Sequence, residues 1–309
     1  MNRISIGDLT AGDTVDSVFI LQKGQLRQAR NGTYLDLQFS DLSGQIGGRQ
    51  WQTGLPAEGL KTGEPYHVLG AVESYQDRLQ LNLQGLRRVP REKAPIEEMF
   101  PVVGDGAQAL AALRELVARA APRGPLRELA DAAFERWGKE FARCTAALGH
   151  HHAGVGGLAV HTLAVTRAMD VLARAREGVD VEIAVVGAAL HDLGKIRHYD
   201  PDWPASVTDE GSLVGHIGLG IEMLAGLARE LKTPEKRLLP ILHIVASHHR
   251  EEQFGALVKP QTREASLVAW VDGLDADDAK FAQAISAAEG TEGPWTEYHR
   301  PLGRSVYRG

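Results

Sequence analysis

Between Gly12 and Val89 apolar residues recur at every second position in short runs. Leu35, Leu37 and Phe39 alternate with Asp36, Gln38 and Ser40, and Leu79, Leu81 and Leu83 alternate with Gln80 and Asn82, which is the period of a half-buried strand. Asp41-Leu42-Ser43-Gly44 is a turn sequence leading into residues 45–51, and a turn near Gln76-Asp77-Arg78 joins residues 66–74 to 79–83. With residues 15–21 the count is five strands. Past residue 106 the apolar spacing lengthens to that of helices. Residues 107–121 and 126–141 flank the breaker Pro122-Arg123-Gly124-Pro125. Further stripes run through Leu158, His161, Val165, Met169 and Leu172, then through Ile183, Val186, Gly187 and Leu190 up to a helix-stopping Gly194. Leu213, Ile217, Leu224, Leu227 and Leu231 define the next helix, Leu238, Ile241, Leu242 and Val245 another, and Ala265, Val268 and Ala269 the last. Residues 198–211, rich in Asp, Pro and Ser, are too irregular for a helix and are expected to border a pocket.

Five strands with this hairpin spacing resemble an OB-fold. The expected architecture is multidomain, with an N-terminal five-stranded OB-like β-barrel over residues 1–90, a polar, proline-flanked linker over 91–106 and an all-α bundle over 107–309. A chain of 309 residues, 43% of them hydrophobic, is long enough for two cores. The single cysteine, Cys144, excludes an intrachain disulfide and suits a reducing compartment, where it serves packing. The start MNRISIGDLTAGD lacks the apolar stretch of a signal peptide, and no uninterrupted apolar run is expected to reach the length of a membrane span, so a cytoplasmic chain with no membrane partner is the expectation.

A net charge of −6 excludes binding of nucleic acid through sheer basicity. Residues 1–95 hold 11 basic against 10 acidic side chains and the remainder 23 against 30, so the front is where a polyanion would touch. Tyr34, Arg49, Trp51, Tyr75 and Arg78 are the aromatic and basic candidates for a single-strand surface. The plainer alternative is that Trp51 fills the barrel alongside Phe39 while the arginines only solubilise it.

The chemistry centres on His191-Asp192, where an apolar helix meets Gly194. Taken alone, such a pair more often caps a helix than binds a metal. His161, His216, His248 and Asp272, however, each fall on or beside the apolar stripe of a different helix, and a buried polar group without a partner is costly. Mixed imidazole and carboxylate donors without cysteine suit manganese, iron, zinc or magnesium. The set is large enough for two ions, one taking His161, His191, Asp192 and Asp272, the second sharing Asp192 with His216 and His248. Such a pair serves hydrolysis of a phosphate ester. Lys195, one turn beyond His191, would neutralise charge on phosphorus, or is a surface lysine at a helix end. His151 and His152 precede the first metal-bearing helix and are candidates to face substrate phosphate. His249 is a substrate contact or substitute ligand, whereas His243 points to the opposite side of its helix. Asp275 follows Asp272 by one turn, and Asp277 and Asp278 read as a solvated acidic face.

The order His161, His191-Asp192, Asp272 resembles the HD superfamily of metal-dependent phosphohydrolases, and His216 and His248 resemble the extra ligands of its two-metal members. The strings HHAGVGGLAVHT, HDLGK, EGSLVGHI, SHH and VDGLDA behind an OB-like barrel resemble the YhaM-type 3′-to-5′ exoribonucleases over nearly the whole chain. The resemblance implies an HD-domain helical bundle and two divalent cations, manganese first, with Mg2+, Fe2+ or Zn2+ as alternatives. It implies His161, His191, Asp192, His216, His248 and Asp272 as ligands, and Lys195 with Asp192 as catalytic residues. The substrate would be single-stranded RNA, with single-stranded DNA as an alternative. The resemblance assigns no role to residues 295–309. Two other readings stand beside this one: a nucleotide or cyclic-dinucleotide phosphohydrolase whose barrel drives homo-oligomer formation, and a non-catalytic nucleic-acid-binding protein with structural metals.

Overall fold

The computed structural model describes residues 4–29, 32–51, 59–75, 78–147, 154–201, 203, 206–290 and 292–309, with the backbone alone at 96–97. They fall into two compact units, Met1–Pro101 and Val102–Gly309.

In the first unit β1 (Thr14–Ala29), β2 (Gly32–Asp41), β3 (Gly44–Trp51), β4 (Pro65–Tyr75) and β5 (Arg78–Arg88) close into an OB-like barrel in the order β1-β2-β3-β5-β4. All pairs are antiparallel except β3 with β5. Strand β1 runs well beyond residue 21. It holds two neighbours at once, pairing Thr14 to Ile20 with β4 and its remainder with β2, and the register shift between Leu21 and Lys23 bends it from one to the other. The alternating residues do what their period predicts, so Val15, Phe19, Leu35, Leu37, Phe39 and Leu81 fill the interior. The expected turn at Asp41 forms because Asp41 Oδ1 accepts hydrogen bonds from the Ser43 and Gly44 amides. Gln76 and Asp77 of the other turn lie outside the described residues. Residues 91–101 include α1 (Ile96–Met99), and Met99 and Phe100 are buried.

Glu64, just ahead of β4, is buried and receives Arg88 Nη2 at 2.8 Å and Arg91 Nη2 at 2.7 Å, one on each carboxylate oxygen. Burial raises its pKa, but the two guanidinium partners outweigh that and hold it below the usual carboxylate value. Because the folded pKa is the lower one, the stabilisation is present above the unfolded value and disappears as pH falls through the folded value. Glu64→Gln is therefore expected to destabilise the barrel by about 1–2 kcal/mol at neutral pH, allowing for screening of the half-exposed Arg88, and to remove this acid-induced loss. Hydrogen exchange of β4 and β5 amides across pH 3 to 7 reads both effects, and wild-type behaviour in the variant would show that Glu64 contributes nothing.

The second unit is helical: α2 (Gly106–Ala120), α3 (Pro125–Arg143), α4 (Gly157–Arg174), α5 (Val181–Leu190), α6 (Lys195–His198), α7 (Asp209–Leu231), α8 (Glu235–Ser247) and α9 (Arg263–Ser286). Side-chain caps hold four of them: Asp105, Asp180, Thr208 and Thr262 accept amide hydrogen bonds from the first turns of α2, α5, α7 and α9. Helix α5 is buried along almost its whole length and packs against α2, α4, α8 and α9. Cys144 is buried, and burial pushes its thiol pKa up, as a packing residue requires. Helix α7 is long and apolar enough to cross a membrane by length and composition, although His216 and Glu222 interrupt its apolar run. Its Ile217, Leu219, Leu224 and Leu227 are buried, and it packs on α6 and α8, so the apolar run belongs to the bundle core.

Candidate metal centre

Six expected ligands arrive on five separate pieces of the helical unit and meet. His161 projects from the second turn of α4, His191 caps the C-terminus of α5 with Asp192 next to it, His216 lies on α7, His248 caps the C-terminus of α8, and Asp272 lies on α9. His161, His191, Asp192 and His248 are almost wholly buried. A cavity of about 520 Å3 opens onto the group, lined in part by His161, Lys195, His216, His248, His249 and Asp272.

The two oxygens of Asp192 face different imidazoles. Oδ2 lies 3.4 Å from both His161 Nε2 and His191 Nε2, and Oδ1 lies 3.6 Å from His216 Nε2 and 3.5 Å from His248 Nε2. Asp272 Oδ1 joins the first set at 3.2 Å from His161 Nε2 and 3.7 Å from His191 Nε2. Two donors each about 2.1 Å from one cation subtend about 3.0–3.4 Å, so these separations suit shared coordination better than direct hydrogen bonding. His191 Nε2, His216 Nε2, His248 Nε2 and Asp192 Oδ1 are all buried without a hydrogen-bond partner among the described residues, an arrangement that costs stability unless a cation satisfies them.

Local structure fixes which nitrogen is presented. His191 Nδ1–H donates to the Ala188 carbonyl at 2.7 Å, and His248 Nδ1–H donates to the Val245 carbonyl at 2.8 Å. Both are the same device, a histidine at the last turn of a helix reaching back three residues to a carbonyl without an intrahelical partner. His161 Nδ1–H donates to Asp275 Oδ2 at 2.7 Å. Each of these contacts leaves Nε2 as the lone-pair nitrogen facing the cluster. The residues present fit a divalent cation on this count as well as on distance.

The field of the site favours positive charge, and a bound cation would take the place of the protons that the carboxylates otherwise draw onto His161 and His191. Burial disfavours charge on His161 and His191, yet the neighbouring carboxylates hold His161 well above the ordinary imidazole range and push His191 up to about 9. Burial also opposes ionisation of Asp192 and Asp272, but Lys195, His191 and His161 around Asp192, and His161 and His191 around Asp272, hold both well below the carboxylate range. His216 and His249 are driven the other way, first by burial and then by neighbouring positive groups, His249 to about 4, so both stay neutral donors at pH 7. Lys195 Nζ lies 2.6 Å from Asp192 Oδ2; burial disfavours its charge, and Asp192 more than compensates.

His249 stands with His216 and His248, their donor atoms within 4.8 Å of one another, and its Nδ1–H donates to the Phe254 carbonyl at 2.8 Å. His243 lies away from the cluster, where its Nε2 accepts from the Gln261 amide. His151 and His152 lie outside the described residues. Two features were missed in the sequence. Asp275 proves to be the residue that orients His161, and its three-residue spacing from Asp272 was the available signal. Helix α7 is interrupted at Gly215 (φ 77°), which turns the chain just before His216.

Gly194 sets the approach of the His191-Asp192 turn to α7. A Cβ there would stand 2.0 Å from the His216 carbonyl oxygen and 2.5 Å from the Gly220 amide nitrogen. Gly194→Ala must push backbone apart and is expected to cost about 3 kcal/mol in denaturant unfolding while widening the His216 to Asp192 gap. A loss under about 1 kcal/mol would show that the turn tolerates the methyl group.

In the barrel, Tyr34 and Trp51 stack with centroids 4.8 Å apart, and the Arg49 guanidinium lies 5.3 Å from the Tyr34 ring and 5.0 Å from the Tyr75 ring. Trp51 and Tyr75 are exposed, and Phe39 alone of the expected pair is in the interior. The face is therefore an aromatic and cationic surface, not core.

Residues 158–277 match the HD domain family. The chain is 26% identical to the 3′-5′ exoribonuclease YhaM of Bacillus subtilis strain 168 over 301 residues, covering 96% of this chain and 95% of that protein. It is equally 26% identical to YhaM of Listeria welshimeri over 273 residues, 87% of each. Among solved structures, the second OB-fold domain of replication protein A from Methanococcus maripaludis is similar at 18% identity, with a TM-score of 0.25, over 30% of this chain and 97% of that domain. The barrel assignment rests on strand order.

Proposed function

We propose that this chain, similar over nearly its whole length to YhaM exoribonucleases and carrying an HD domain, is a divalent-metal-dependent 3′-to-5′ exonuclease of single-stranded RNA. The observation that carries the reading is the buried Asp192 carboxylate, with one oxygen toward His161 and His191 and the other toward His216 and His248. That division supports two cations bridged by one carboxylate. His161, His191, Asp192 and Asp272 would hold one, and Asp192, His216 and His248 the other, with His249 in reach of the second. When bound, such cations act as Lewis acids and lower the pKa of water from 15.7 to about 7.

The protein's own groups do the rest. The second-row contacts of His161, His191 and His248 lock their rings, so the site needs no reorganisation as charge develops. Lys195, on the cavity wall and charged, keeps Asp192 ionised and offers its ammonium protons to a phosphate oxygen. The surface of Tyr34, Arg49, Trp51 and Tyr75 would hold bases by stacking, which suits single strands of either RNA or DNA.

The test is a 5′-labelled single-stranded RNA incubated with the protein and Mn2+. A ladder descending from the 3′ end supports the proposal. Intact RNA with hydrolysis of free nucleotides would replace it with a nucleotide phosphohydrolase, and intact substrates of every kind would leave the metals a structural role.

A further inference from the structure

Arg250 follows the last two histidines of the cluster and lines the same cavity. Its backbone is left-handed, with φ 68°, a conformation that L residues other than glycine, asparagine and aspartate rarely adopt and that concentrates at functional sites. Its guanidinium carbon lies 4.5 Å from the centroid of the Trp270 ring on α9, and that ring is 63% exposed. Position 273, one turn further along α9, is glycine, and a Cβ there would stand 3.4 Å from Arg250 Nη2, in ordinary van der Waals contact. Arginine in the left-handed region is locally unfavourable. No carboxylate among the described residues lies within ion-pair distance of Arg250, although the unit as a whole is acidic.

The geometry points to Arg250, braced on Trp270, as the residue that takes a phosphate of the substrate at the cavity mouth. A planar guanidinium fixed by an aromatic face presents its free edge in a fork that matches two phosphate oxygens. It is solvent-accessible, unlike the buried ligands, and it stands beside His249 and Phe254, whose exposed ring also lines the cavity. The function is recognition and not bond cleavage: Arg250 places the phosphodiester chain against the metal cluster. This rests on the exonuclease reading for the identity of the substrate.

Arg250→Gly separates recognition from architecture, because glycine accepts the left-handed backbone without strain. The melting temperature should stay equal to or above that of the wild type. KM for a single-stranded RNA of about ten nucleotides should rise about tenfold, with kcat changed less than about twofold, as for loss of a uniform binding contact. The slope of log affinity against log salt should fall in magnitude by about 0.7, the signature of one lost phosphate contact on a single strand. Arg250→Lys should recover part of the affinity, and Trp270→Leu should weaken it about threefold by removing the shelf. Calorimetric binding of uridine 5′-monophosphate in the presence of Mn2+, which needs no turnover, should weaken about tenfold in Arg250→Gly. Absence of RNA cleavage by the wild type would sink the exonuclease reading and leave this binding measurement to decide the arginine's role. Unchanged nucleotide affinity in Arg250→Gly, or a fall in kcat alone, would overturn the assignment.

Discussion

Asp192→Asn is expected to lower RNA hydrolysis by about 10^3-fold or more, because one substitution weakens both halves of the cluster. The amide preserves shape but cannot supply anionic oxygens to the cations that would sit with His161 and His191 on one side and with His216 and His248 on the other. Metal content measured by elemental analysis should fall below the two ions per chain expected of the wild type. The variant also strips Lys195 of its partner at 2.6 Å, so circular dichroism must accompany the assay. RNA binding through Tyr34, Arg49 and Trp51 should persist, since those side chains belong to the other compact unit. Turnover at the wild-type rate would remove Asp192 from the chemistry and the bridged pair with it.

Asp275→Asn should act on one half alone. The carboxylate holds His161 through Nδ1 at 2.7 Å, and its loss frees the ring to rotate and makes Nε2 a poorer donor. A 10- to 100-fold loss of affinity is expected for the ion held by His161, on the order seen when such supporting contacts are removed. Manganese titration should resolve one weakened and one unchanged site. His243→Ala, whose ring serves the Gln261 amide, is the matched control and should change neither. Equal weakening of both ions, or of none, would mean that Asp275 does not act through His161.

Much of this site was legible in the chain because helical periodicity tells which side chains face the core. His161 lies in a stripe with Leu158, Val165 and Met169, and it is buried as the stripe requires. Asp272 follows Val268 and Ala269 in the same way. Periodicity could not separate Asp275 from the acidic residues after it, since an aspartate one turn along a helix serves solvent or a histidine equally well. Arg250 carries no periodic signal because it sits in a turn. Trp51, read as an alternative core residue, proves exposed, because alternation along a strand names two faces without saying which of them closes inward near a barrel's rim. The composition of α7 suits lipid as well as a protein core, and its neighbours in the bundle supply the apolar surroundings.

Local pattern was enough to read most strands and helices and the inward-facing imidazoles and carboxylates, all of which follow from interactions within a few residues. Long-range packing settles which oxygen of Asp192 meets which histidines, that Asp275 stands behind His161, and that Arg250 rests on Trp270. Apart from the adjacent His191 and Asp192, those pairings join residues 20 to 114 positions apart. They depend on how α4, α5, α7, α8 and α9 pack against one another, and a packing angle is a property of many distant contacts that no local pattern encodes.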